Sequence, residues 1–323
     1  MEWRKDCLPW FTTAVVPLDG SQLAARALPF ARRFADAETK LVVVRAHQSL
    51  DDAPTSTARY PYLPPWERTR LERKMARAHF AADLEGLARQ GLHVEPYFID
   101  GTAADAILTT ARATQADLIV MSTHGHGGFG RVLCGSVADQ VLRRAEIPLL
   151  LVPAACEREW AAGQLLRLLV TLDGSSLAAE ALGPAREFAG TVGAELTLLA
   201  VAEPSEAIYT DALVQVQSDP VQQAAQASGY LYEAAAELRA SGVSSVAVRA
   251  AVGHPTATIA RVAQEVGADA IVMATHGRGG LARLFLGSVA TSTLERTKVP
   301  LLRHRPAAVR SVVAEPASAA RGA

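Results

Sequence analysis

The sequence predicts an α/β fold: two tandem doubly wound domains, each a five-stranded parallel sheet flanked by helices. Two observations carry that prediction. The first is repetition: residues 117–152 (DLIVMSTHGHGGFGRVLCGSVADQVLRRAEIPLLLV) and 269–303 (DAIVMATHGRGGLARLFLGSVATSTLERTKVPLLR) say nearly the same thing. Asp117, His124, Gly125, Gly135, Ser136 and Pro148 recur as Asp269, His276, Gly277, Gly287, Ser288 and Pro300 at one offset of 152, and VVPLDGSQLAARAL (15–28) recurs as LVTLDGSSLAAEAL (169–182). The chain is a tandem duplication. The second is alternation: Val/Ile/Leu-rich runs without a polar face alternate with helical patterns, as strands of a parallel sheet covered on both faces do.

In the first copy the pattern predicts a strand at about 12–18, a helix from Ser21 to about Ala35, and a strand at about 40–46. A polar, Pro-rich connection (APTSTARYPYLPP) then leads to a long helix at about 66–90, a strand at 92–98 and a helix at 102–115. The strand 117–122, the glycine loop, a helix at about 135–144 and a last strand at 147–152 complete the copy. Strands near 166–172, 195–202, 245–251, 269–274 and 299–303 repeat this order in the second. The domains are set at residues 1–156 and 164–305, because PAACEREWAAGQ breaks the apolar pattern near 153–164. The tail 306–323, rich in Ala, Arg and Ser, is expected to be disordered.

Composition narrows the function. Of 323 residues 50% are hydrophobic, enough for two ordinary cores, and the net charge of -1 gives no sign of a polyanionic partner, so nucleic acid is set aside. No apolar run reaches the roughly 18 residues of a membrane span, and MEWRKDCLPWF lacks the apolar core of a secretory leader. The expected place is the cytoplasm, with no membrane contact. Cys7, Cys134 and Cys156 are too few and too irregular for a disulfide framework or a zinc site, and are read as reduced thiols.

In doubly wound sheets ligands bind outside the carboxyl ends of strands, where the strand order reverses. After the first strand of each copy stands Asp-Gly-Ser (Asp19, Gly20 and Ser21; Asp173, Gly174 and Ser175), and after the fourth stands Thr-His-Gly with further glycines (His124, Gly125 and Gly128; His276, Gly277 and Gly280). A carboxylate at one loop and clustered backbone N–H groups at the other suit a nucleotide. Ribose hydroxyls donate to the Asp, and phosphates take the glycine loop and the helix opened by Gly135, Ser136 and Val137 or Gly287, Ser288 and Val289. Plainer roles stand beside these. Asp19 and Asp173 precede a helix and would cap it; the glycines would serve a tight turn; Ser136 and Ser288 are good N-caps in any case. The histidines would hydrogen-bond the loop to itself, and nothing marks them as catalytic.

Other features point elsewhere. His124-x-His126 finds no third ligand, and Arg278 replaces His126 in the second copy, which argues against zinc. Leu286 occupies the place in the second copy equivalent to Cys134, which favours a packing role. Arg68, Arg70, Arg73, Lys74 and Arg77, interleaved with Glu67 and Glu72, read as a solvated helix face, and Trp66, Met75 and Phe80 as core or interface contacts. No Walker-type GK[ST] and no nucleophile with a base are present, so binding is expected rather than fast chemistry.

These residues resemble a known pattern. The chain is similar to tandem members of the universal stress protein family, whose ATP-binding members carry GxxGx9G[ST] after the fourth strand and an Asp at the end of the first. Gly125 to Gly135-Ser136 and Gly277 to Gly287-Ser288 keep the second glycine, the spacer and the closing pair; Ser122 and Ala274 stand where the pattern has its first glycine. The resemblance covers 10–152 and 164–304. It implies a Rossmann-like fold of the adenine nucleotide alpha hydrolase type and an adenine nucleotide, ATP with or without Mg²⁺, at one or both glycine loops. It also implies at most slow ATP hydrolysis, a regulatory role in the stress response, and an unidentified protein partner. Tandem members resemble a dimer fused into one chain, the two fifth strands meeting at the internal interface. The alternative is a stress protein that binds no nucleotide and acts through protein contacts.

Overall fold

The computed structural model describes residues 11–35, 39–48, 62–123, 135–203, 220–274 and 288–305. In the first half, β1 (Thr13–Pro17) runs between β2 (Lys40–His47) and β4 (Leu118–Ser122), with β3 (Val94–Asp100) outside β2 and β5 (Leu149–Val152) outside β4. The second half repeats this around β6 (Leu166–Leu172): β7 (Ala194–Ala202) and β8 (Val246–Val252) lie on one side, β9 (Ala270–Ala274) and β10 (Leu301–His304) on the other. Every pair within a half is parallel. The strand order reverses at β1/β4 and again at β6/β9, the two crevices where such sheets take ligands.

Both faces of the sheet are covered. Leu41 and Val43 join the core under α2 (Leu28–Ala35) and α3 (Pro65–Arg89); Val42 and Val44 join the core under α4 (Ala103–Ala113) and α5 (Ser136–Arg144). Burial on both sides is why the strands read as unbroken apolar runs. In the second half α6 (Ser176–Ala179), α7 (Leu182–Val192) and α8 (Pro220–Ala240) cover the first face, α9 (Pro255–Glu265) and α10 (Ser288–Arg296) the second.

One seam joins the halves. β5 and β10 pair antiparallel, Leu151 opposite Leu301, Leu150 opposite Leu302 and Leu149 opposite Arg303, so that ten strands form one sheet and neither strand is left as an open edge. Beside the seam Phe11, Phe34, Trp160 and Phe188 pack ring on ring, with centroid separations of 4.8 Å from Trp160 to Phe30 and 5.6 Å from Trp160 to Phe188. Trp160 and Cys156 are buried although they lie in the connection, so these two side chains anchor an otherwise largely exposed segment to the core. The Arg158 guanidinium donates to the Gly267 and Ala268 carbonyls and to the Asp269 carboxylate, holding the connection to the second half.

The structure corrects three details. The helix expected from Ser21 to Ala35 is two, α1 (Gln22–Ala25) and α2, separated by a turn in which Arg26 and Ala27 donate to carbonyls only three residues back. Pro29 is the cause, since its nitrogen cannot donate and its ring obstructs the carbonyl four residues earlier. Trp66, expected in a core or interface, is 66% exposed and so lies outside the core of the chain, whereas Phe80 is buried under α3. The basic face of α3 is solvated only in part: Arg73 grips Asp100 with two hydrogen bonds, and the Arg77 guanidinium lies 5.4 Å above the Phe98 ring. The tail 306–323, Cys7 and Cys134 lie outside the described residues.

Candidate functional site

Each crevice is built from the loop after the first strand and the end of the fourth. β1 pairs with β4 at Ala14–Leu118 and Val15–Ile119, and extending that register sets Leu18 level with Ser122. Leu168–Ala270 in the second half likewise sets Leu172 level with Ala274. The candidate residues that follow, Asp19 and Asp173, therefore sit at the crevice rims beside the strand ends where the glycine loops begin.

The two Asp loops are alike. Gly20 and Gly174 have φ of 86° and 80°, a left-handed turn that glycine takes without cost. The Asp19 Oδ1 accepts from the Ser21 backbone N–H at 2.8 Å, and Ser21 Oγ accepts from Ala24 N–H at 3.0 Å as the N-cap of α1. Asp173 Oδ1 accepts from both N–H and O–H of Ser175, at 2.9 and 2.6 Å, and Ser175 caps α6. The helix cap is thus the serine, and the aspartate orients it. Asp19 and Gly20 are exposed, Asp173 half-buried. In the second half Tyr230 of α8 donates its phenol O–H to the Leu172 carbonyl at 2.9 Å, fixing the strand end from the helix side. A tyrosine in an apolar helix gave no sign of this in the sequence.

Opposite the Asp loop, Thr123 closes β4 by donating its N–H to the Val152 carbonyl at 2.8 Å, and Ser122 and Ala274 are half-buried. The loops 124–134 and 275–287 lie outside the described residues, and with them His124, Gly125, Gly128, His276, Gly277, Gly280 and Gly287. Beyond the first loop Gly135 occupies the N-cap of α5 with φ 75° and ψ 147°, backbone space open essentially to glycine alone. This corrects the expected N-cap: Ser136 and Ser288 are the first helical residues. Ser136 is exposed, and the N–H groups of that first turn have no acceptor within the helix. Val137 and Val289 are half-buried and pack against the core of the second face, so their part is to seat the helix starts.

Chemically the first half offers an exposed carboxylate after β1 and, where α5 begins, a helix N-terminus whose cap has no side chain to shield it. That arrangement accepts an anion at the helix and hydroxyl donors at the carboxylate. Among the described residues no cluster of three or more His, Cys, Asp or Glu side chains could hold a metal ion, and no helix is long and apolar enough to cross a membrane.

The profile of the universal stress protein family matches the chain twice, over residues 11–153 and 165–305. The chain belongs to the universal stress protein family. Among proteins of this family, one from Thermus aquaticus is 35% identical over 145 residues, 44% of this chain and 98% of the relative. Another, from Mycobacterium tuberculosis, is 28% identical over 193 residues, and the match spans 60% of this chain and 63% of the relative, less than two thirds of its length. The crystal structure of a universal stress protein from Archaeoglobus fulgidus superposes with a TM-score of 0.68 over 92% of this chain and 99% of that one. At 20% identity that similarity speaks for the tandem fold alone.

Proposed function

We propose that this universal stress protein is a regulatory adenine-nucleotide-binding protein that takes ATP at the crevice of one or both halves. The observation that supports the reading is the position of Asp19 and Asp173 at the ends of β1 and β6, where the strand order reverses, each orienting the serine that caps the next helix. In this reading Asp19 and Asp173 accept the ribose hydroxyls, and the N-terminal N–H groups of α5 and α10 take phosphate oxygens. The glycines of the two loops let the backbone approach. Mg²⁺ enters with the phosphates, since the described residues supply no metal cluster of their own. Without a positioned base and nucleophile among the described residues, the expected output is a change of shape or protein partner upon occupancy, with hydrolysis slow at most.

Ser122 and Ala274 support a second reading. Each puts a side chain where the nucleotide-binding pattern has glycine, and a crevice closed in this way leaves a protein-interaction module on a nucleotide-binding scaffold. One experiment separates them. The chain is purified without added nucleotide and denatured, and the released small molecules are analysed by mass spectrometry beside a variant carrying Asp19→Ala and Asp173→Ala. Release of ATP or ADP from the natural chain, lost in a variant of unchanged circular dichroism, supports nucleotide binding. No release, together with no thermal shift on adding ATP, selects the interaction module.

A further inference from the structure

Beside Ser122 against Ala274, and the Tyr230 contact that only the second half makes among the described residues, the two crevices differ in a pair of charged side chains next to the Asp loop. Arg45, near the end of β2, donates from Nη1 to Asp83 Oδ2 on α3 at 3.1 Å, and only 13% of its side chain is exposed. Its guanidinium lies against the Asp loop: a Cβ added at Gly20 would sit 3.1 Å from Nη2 and 3.2 Å from Nη1. The ion pair therefore occupies the space over Gly20 that separates the Asp rim from β2 and α3.

The second half lacks it. Gly101 donates to the His47 carbonyl as Gly253 does to that of Ala202, which makes β2 and β7 equivalent at an offset of 155 and puts Ala200 in the place of Arg45. Leu92 donates to the Leu87 carbonyl as Val243 does to that of Leu238, an offset of 151 that puts Ala234 in the place of Asp83. Both partners are replaced by alanine at once. Ala200 and Ala234 are 2% and 8% exposed, and neither carries an atom beyond Cβ to reach the loop.

We propose that the Arg45–Asp83 pair crowds the Asp rim of the first crevice from the β2 side, so that nucleotide fills the second half first and reaches Asp19 in the first only by displacing Arg45. The inference rests on the nucleotide-binding reading and deepens it by assigning the order of filling. Swinging Arg45 out costs a partly buried ion pair and leaves Asp83 without that partner, between the small worth of an exposed pair and the large cost of breaking a buried one. The expected handicap of the first site is on the order of tenfold in Kd, about 1.4 kcal/mol.

The test is isothermal titration of the full chain with ATP and Mg²⁺, natural and with Arg45→Ala and Asp83→Ala together, after circular dichroism has shown both folded. The expected result is one tight and one weaker site in the natural chain and two sites of similar, tight affinity in the variant. Because the substitutions lie in the first half, a gain at the weaker site also assigns that site. Two equal sites in the natural chain, a weaker site unmoved in the variant, or a site lost in the variant each overturns the gate and leaves the nucleotide reading standing; the last would make Arg45 a ligand contact. Absence of binding in both chains removes the nucleotide reading and the gate with it.

Discussion

Phe34 and Phe188 meet between the two halves with ring centroids 5.4 Å apart and planes tilted by 49°. They are the same position of the two copies, 154 residues apart, and both are fully buried. A residue that packs against its own duplicate ties the halves into one core. Phe34→Ala or Phe188→Ala is expected to cost about 3–5 kcal/mol, read as a lower urea midpoint in a single transition. Two separate transitions in the natural chain would show that the shared cluster does not couple the halves.

Arg33, the neighbour of Phe34, is buried and donates to the Val192 carbonyl at 2.6 Å and to the Gln164 carbonyl at 2.8 Å, both in the second copy or its approach. Arg33→Met keeps much of the stem and removes both donors. A loss of about 3 kcal/mol is expected from a pair of charge-assisted bonds, measured by chemical denaturation; a change below about 0.5 kcal/mol would mean water replaces them.

The counterpart of Arg33 is Glu187, so one position carries opposite charges in the two copies. Burial pushes the Glu187 carboxyl above its ordinary value and the nearby Asp117 charge pushes the same way, with Arg186 opposing. A raised folded-state value means that the folded chain holds the proton more tightly. The stability from that proton is present in full below the ordinary glutamate range and is lost as pH rises through the raised value. Glu187→Gln is therefore expected to melt at a higher temperature than the natural chain at neutral pH, the advantage vanishing near pH 4. An advantage that persists or grows on acidification would refute the assignment.

Arg73 and Asp100 make the opposite kind of pair: two hydrogen bonds, but side chains 47% and 54% exposed. Arg73→Ala is expected to change stability by less than about 1 kcal/mol, and the change should shrink further in high salt. A salt-independent loss of several kcal/mol would show that the arginine stem, rather than its charge, secures α3.

The fold was legible because the chain states it twice, once in each half. Apolar runs bounded by glycine and proline gave the strands to within two residues, and Pro29 could have announced the break between α1 and α2. Asp19 and Asp173 were legible as candidates because a doubly wound sheet puts its ligands at strand ends. Arg45 and Asp83 were not. One is the second of two cations in KLVVVRAH and the other is one of four acids on a long helix, and their meeting depends on how α3 crosses β2, which periodicity does not encode. Trp160 was hidden for a similar reason, since a connection reads as polar until the surface that covers it is known.

The antiparallel seam between β5 and β10 reverses the direction of every strand in the second half relative to the first. Strand carboxyl ends in the two halves therefore point to opposite borders of the sheet, and the two crevices open back to back. Ligands seated in them would face away from each other. The molecule has the geometry of a two-ended connector, in which any message from one mouth to the other has to travel through the shared interior.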